Sequence, residues 1–191
     1  NFGRNDLKEM IFKGIFKLSP GELLIFDDKK KQYKLEKLLN FNFETTKFSN
    51  LNIKKIIKET VNSQLISDVP IALSLSGGVD SNIIYSVMRE KFGNKFNIYS
   101  FYFKDYEKFN GDFYTAKKNA AFYKTPFFPI EISHTDFIET AEKAVEILEE
   151  PVANQCSILN YKMANSIHEK ILITGDGGDE IFTGYDSYRS I

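Results

Sequence analysis

Val69 to Ser81 read VPIALSLSGGVDS, and the reading of this stretch decides the fold. Val69 to Leu75 is a short, apolar, partly β-branched run with its proline near the start, the composition of a strand buried in a parallel sheet. Ser76 to Ser81 follow with no spacer, and Asn82 to Phe92 carry a helical pattern. SGGVDS is therefore predicted to join a strand to a helix, where free backbone N–H groups and the helix dipole favour anionic oxygens. Gly77 and Gly78 let the backbone approach a phosphate with no Cβ in the way. The hydroxyls of Ser76 and Ser81 can donate to phosphate oxygens, whereas Asp80 would repel phosphate unless a cation lay between them. That acid points to magnesium. A purely structural turn would explain the two glycines but not an acid placed between serines. The spacing matches neither GxxxxGK[ST] nor GxGxxG.

Downstream, Phe96 to Phe103 and Pro126 to Ile132 read as strands, and Asp112 to Tyr123, Thr135 to Glu149 and Ile158 to Glu169 as helices. A last strand, Ile171 to Thr174, leads into a second glycine-rich loop, Gly175-Asp176-Gly177-Gly178-Asp179-Glu180. Strands alternating with helices require crossover connections. They predict an α/β fold, a parallel sheet with helices on both faces and a ligand site beyond the carboxyl ends of the strands. If the strands before the two loops are neighbours, Asp80 and Asp179 can share one Mg²⁺, which commonly uses one or two carboxylates plus phosphate oxygens.

Upstream, Ile53, Ile56, Ile57, Val61 and Leu65 fall at helical spacing and predict an amphipathic helix packed on the core. Asn40 to Asn50 are polar and aperiodic and read as a linker. Before it, Phe16 to Phe26 hold a Pro-Gly turn and an apolar run, Asp27 to Lys31 a polar hairpin tip, and Tyr33 and Leu35 the returning strand.

Composition narrows the function. With 191 residues the chain can bury roughly 70% of its unfolded surface, enough for one substantial domain and a small appendage. A formal net charge of -1 gives no electrostatic footprint for nucleic acid or an anionic membrane. No apolar run approaches the roughly 20 residues of a bilayer span, nor is there a signal-peptide pattern, so a cytoplasmic location is expected. Cys156 is the single cysteine, which excludes an internal disulfide and a multi-cysteine metal site; it is expected to be a small buried hydrophobe. His134 and His168 lack metal-ligand spacing and are expected to serve the surface or core. The chain starts at Asn1 and stops shortly after the second loop, and it reads as a fragment.

SDVPIALSLSGGVDS closely resembles the pyrophosphatase loop, or PP-loop, of the asparagine synthetase family, and ILITGDGGDEIFTGY resembles that family's second loop at the matching distance. IFKLSPGELLIF resembles the last strands of the glutaminase domain that precedes the synthetase domain, and Glu150-Pro151 stand where many members carry an acid-proline pair. The resemblance implies a C-terminal glutaminase remnant and linker over residues 1–45. Residues 46–191 would be the N-terminal part of an ATP pyrophosphatase domain of the adenine nucleotide alpha hydrolase-like class.

It further implies that aspartate is adenylated by ATP with release of pyrophosphate, and that ammonia from glutamine attacks the product. Carried over by position, Ser76, Gly77, Gly78, Asp80 and Ser81 resemble the pyrophosphate cradle. Ser74, Phe103, Thr174 and Gly175 would line the adenosine, Asp80 and Asp179 would ligate Mg²⁺, and Asp176 would be the base for the attacking amine. The implied partners are small molecules and the upstream glutaminase domain, with no nucleic acid or membrane; a homodimer is allowed but not required. The glutaminase cysteine and a later phosphate-contacting lysine fall outside this chain. Asn154 and Gln155 stand where members show an acid and a hydroxylated residue, which leaves the acceptor open between aspartate and another carboxylate. Two alternatives remain: an adenylating tRNA modifier, opposed by the single cysteine and the net charge, and a non-catalytic nucleotide-binding protein.

Overall fold

The computed structural model describes residues 12–38, 52–148, 154–186 and 188. The expected linker, the domain boundary at 45/46 and Glu150-Pro151 lie outside the described residues. The chain first forms an antiparallel hairpin, β1 (Glu22–Asp27) and β2 (Gln32–Lys37). Its tip is set by Asp27, whose carboxylate accepts from the N–H groups of Lys29 and Lys30 at 3.0 and 3.1 Å, while Lys31 takes a left-handed φ of 51°. The hairpin pairs with no strand of the main sheet, and Leu24, Ile25, Phe26 and Tyr33 are all exposed.

Then follow α1 (Ile53–Gln64), β3 (Ile71–Ser74), α2 (Val79–Phe92), β4 (Asn97–Phe103), α3 (Gly111–Phe122), β5 (Phe127–Ile132), α4 (His134–Leu148), α5 (Gln155–Ser166), β6 (Ile171–Ile173) and α6 (Gly178–Phe182). The main sheet is parallel, in the order β5-β4-β3-β6. From β3 the chain builds outward through β4 to β5, then crosses back to add β6 on the other side of β3. The direction reverses between β3 and β6, and this switch point opens a crevice at their carboxyl ends.

Alternation along β3 assigns the two faces. Ile71 and Leu73 point to one side with Leu75 and Ile98, against Tyr85, Val87 and Met88 of α2 and Ala116 and Ala120 of α3. Ala72 points to the other, with Tyr99, Ile130 and Met163 of α5. Helices thus cover both faces, as predicted. Leu73, Leu75 and Ile98 are fully buried, each contributing roughly 1.5–3 kcal/mol relative to exposure.

Several elements depart from the sequence reading. α2 starts at Val79, because Gly78 serves as N-cap and Val-Asp-Ser of the loop form its first turn. α5 starts at Gln155, three positions ahead of Ile158, because the Asn154 side chain caps it by accepting from the Cys156 N–H at 2.9 Å. Cys156 is consequently exposed in that first turn and not a buried hydrophobe. α1 contributes only its second half to the core, through partly buried Val61 next to buried Leu65; Ile53 and Ile56 remain about half exposed. The 3-10 turn Glu107–Phe109 was not expected, since no apolar period marks it. It is pinned by fully buried Asn110, whose side chain accepts from Phe103 N–H and donates to Phe103 O at 2.8 and 2.9 Å.

Candidate active site

The two glycine-rich loops meet at the switch point. In the first, Gly77 has φ +90°, a conformation costly for other residues, and a Cβ there would run into the backbone carbonyl of Asp112 at the start of α3. The loop is cross-braced internally: the hydroxyls of Ser76 and Ser81 lie 3.0 Å apart, Ser81 donates to Gly78 O at 3.1 Å, and Gly78 N–H donates to Ser76 Oγ at 3.3 Å. Ser81 is 3% exposed while Ser76 is exposed, so Ser76 presents the more accessible hydroxyl. Asp80 sits in the first turn of α2, where the helix dipole favours its negative charge.

The second loop is closed by main-chain bonds. Gly178 N–H donates to Gly175 O at 3.3 Å, Gly177 at φ +90° caps α6, and Gly184 N–H returns to Asp179 O at 2.9 Å past Thr183, which is also left-handed. Thr174 Oγ1 donates to Asp176 Oδ2 at 2.9 Å. Tyr185 donates to Glu180 Oε1 at 2.8 Å, and this bond to a carboxylate pushes the phenol up to about 12.

Missing side chains let the loops touch. A Cβ at Gly178 would run into the Asp80 carboxylate, and one at Gly175 would lie 3.3 Å from Ser81 N. Together the loops line a cavity of about 540 Å³. Of the residues singled out in the sequence, Ser74, Ser76, Gly78, Asp80, Ser81, Thr174, Gly175, Asp176 and Asp179 line it. Gly77 lies behind it, turned to α3. Phe103 instead lines a separate cavity of about 470 Å³ with Tyr106, His134, Phe137 and Gln155, because the buried Asn110 clamp ties the end of β4 to the following turn.

Asp112 and Asn160 also line the main cavity and were missed. No signal marks them: one opens a helix beyond β4, the other sits inside α5, and only the tertiary fold brings them to this crevice. The described lining thus carries four carboxylates, Asp80, Asp112, Asp176 and Asp179, and no basic side chain. No described group of three or more acids, histidines or cysteines is placed to hold a metal by itself. A crevice of this kind suits a phosphate group only together with a cation that the phosphate helps to bind. Among the described residues no helix is long and apolar enough to cross a membrane.

Fold and crevice define a parallel α/β protein with two glycine-rich loops at its switch point, consistent with the PP-loop ATP pyrophosphatase fold. Residues 52–191 match the family described as Asparagine synthase, and the chain belongs to that family. It is similar to a glutamine-hydrolyzing asparagine synthetase homologue of Methanocaldococcus jannaschii, 31% identical over 92% of this chain and 35% of the relative. Asparagine synthetase [glutamine-hydrolyzing] 1 of Bacillus subtilis is 32% identical over 72% of this chain and 22% of its own length. The Microcin J25-processing protein McjC of Escherichia coli is 31% identical over 96% and 36%. The chain thus spans only about a fifth to a third of the curated relatives it matches.

Proposed function

We propose that this domain binds ATP with Mg²⁺ in the crevice between β3 and β6 and adenylates a carboxylate, which the full-length protein then amidates. The observation that carries the reading is the contact of Gly178 with Asp80, which sets two acid-bearing glycine loops on neighbouring strands against one cavity. In this proposal Ser76, Gly77, Gly78 and Ser81 cradle the pyrophosphate, and Ser74, Thr174 and Gly175 border the adenosine. Phe103, which lines another cavity, is not part of it. Asp80 and Asp179 are the acids that would hold Mg²⁺, which neutralises phosphate charge.

The acceptor carboxylate attacks the α-phosphorus while the bond to pyrophosphate breaks, giving a mixed anhydride. Ammonia then adds at the acyl carbon, AMP leaves with the bonding pair, and Asp176 accepts the proton shed by nitrogen. Aspartate is the proposed acceptor, ammonia from glutamine the donor, and the cytoplasm the setting. The β1-β2 hairpin is proposed as the end of an upstream glutaminase domain over residues 1–45, with the synthetase domain from residue 46.

A second reading changes only the acceptor. Asn154 and Gln155 at the start of α5 depart from the acid and hydroxylated pair expected there, and a relative named for microcin processing is as similar as the asparagine synthetases. The acceptor would then be a carboxylate on a peptide or another metabolite. The test is Mg²⁺-dependent exchange of labelled pyrophosphate into ATP by the full-length protein, with aspartate and then with a panel of carboxylates including peptides. Exchange that requires aspartate supports asparagine synthesis. Exchange with another acid alone replaces the substrate, and none with any acid despite ATP binding overturns the enzymatic reading.

A further inference from the structure

Behind the phosphate loop lies a pair of amides that the proposed chemistry does not use. Asn82, in the first turn of α2, donates both hydrogens of its side-chain amide to the loop, to Gly77 O at 2.9 Å and to Gly78 O at 2.8 Å. Its Oδ1 accepts from Asn119 Nδ2 of α3 at 2.8 Å. The orientation of both amides follows from the acceptors. Two carbonyls require the Asn82 nitrogen, its oxygen must then face Asn119, and only the Asn119 nitrogen can answer it. All three bonds are part-buried.

A trans peptide is planar, with each N–H directed opposite the preceding C=O. Holding Gly77 O and Gly78 O back toward Asn82 therefore turns the N–H groups of Gly78 and Val79 the other way, that of Gly78 onto the exposed Ser76 hydroxyl at 3.3 Å. Both residues line the phosphate cavity. Asp112, whose carbonyl abuts Gly77, lies seven positions before Asn119 on α3, two turns away on the same helix face. α3 thus grips the loop twice, once through its backbone and once through the Asn119-Asn82 relay.

We propose that Asn119 is a positioning residue for the phosphate loop: acting through Asn82, it holds two loop carbonyls away from the ligand and so sets the Val79 amide, and the Ser76 hydroxyl that Gly78 N–H braces, to meet it. The proposal rests on the ATP-site reading for its ligand, but the relay itself can be tested without ATP. Asn119→Leu has nearly the same size and no donor, Asn119→Asp sets acceptor against acceptor, and Asn119→Ser keeps a donor if the leucine variant fails to fold.

In the full-length protein without ligand, hydrogen exchange of the segment 76–82 is expected to quicken at least several-fold in Asn119→Leu, while the rest of α3 keeps wild-type protection. With MgATP, calorimetry is expected to show affinity falling about tenfold in Asn119→Leu and further in Asn119→Asp, with the KM for the carboxylate unchanged and Asn119→Ser closer to wild type. Unchanged exchange at 76–82, or equal losses for ATP and for the carboxylate together with a lower melting temperature in all three variants, overturns the relay. If the wild-type protein does not bind MgATP but Asn119→Leu still loosens 76–82, the relay stands and the ATP reading falls.

Discussion

The two glycine-rich loops lie side by side at the ends of β3 and β6, yet they are held by different means. Side chains brace the first, Ser76 against Ser81 and Asn82 on the two carbonyls, and the main-chain carbonyl of Asp112 fills the space where Gly77 lacks a Cβ. Main-chain turns with left-handed residues at both ends of a single-turn helix hold the second, and its acids Asp176 and Glu180 are exposed. A loop fixed by several part-buried side-chain bonds is held near one geometry before any ligand arrives, which lowers the ordering cost of binding a phosphate. A loop fixed by short turns at the surface adjusts more cheaply, and its acids can follow the ligand.

Replacing the glycine at each contact point probes that contrast most strongly. Gly77→Ala forces a left-handed backbone onto alanine, worth about 1–2 kcal/mol, and sets its methyl against a main-chain carbonyl that cannot move aside. A destabilisation of at least about 2 kcal/mol and loss of ATP binding are expected. Gly178→Ala meets the Asp80 side chain first; its carboxylate can rotate away, and its Cβ at 3.1 Å must give by a few tenths of an ångström. Its melting temperature should fall less than that of Gly77→Ala while Mg²⁺-dependent ATP affinity falls. Matching losses of stability in thermal unfolding would mean that the two loops are equally rigid.

The carboxylates separate the roles next. Asp80→Ala and Asp179→Ala, one acid from each loop, are expected to abolish Mg²⁺-dependent ATP binding in calorimetry. Asp176→Asn should bind ATP normally and lose amide formation, by a factor of about 10²–10⁴ if it is the general base. Equal loss of binding in all three variants would remove the distinction between the metal acids and the base.

What the sequence made legible was local. An apolar strand running directly into SGGVDS, and a second into GDGGDE, place both loops at strand ends, because strand, loop and helix are contiguous in the chain. Whether β3 and β6 are neighbours depends on which side of β3 the last crossover returns to, and no local pattern encodes that choice. For the same reason Asp112, Asn119 and Asn160 went unnoticed, since each is an ordinary helical residue until the sheet brings it to the loops. Phe103, which the resemblance assigns to the adenosine, lines another cavity, because Asn110 ties the strand end to the turn that follows it. The exposure of Cys156 turned on the cap at Asn154, one residue before a helix whose apolar period begins only at Ile158.

The smallest expected effect concerns how firmly the second loop is tied at its far end. Tyr185 reaches back to Glu180 in the first turn of α6, and the carboxylate there, chiefly through this bond, raises the phenol from its ordinary 10.0 to about 12. The folded state favours the neutral phenol, so the bond's contribution is fully present below pH 10 and lost as pH rises from about 10 to about 12. Tyr185→Phe should therefore lower the melting temperature slightly near neutral pH, less than Gly77→Ala does, because the partners are exposed and solvent-screened. The gap between the two proteins should narrow in melts recorded above about pH 11. No gap at neutral pH would show that the ring, which phenylalanine keeps, and not the bond to Glu180, anchors the loop.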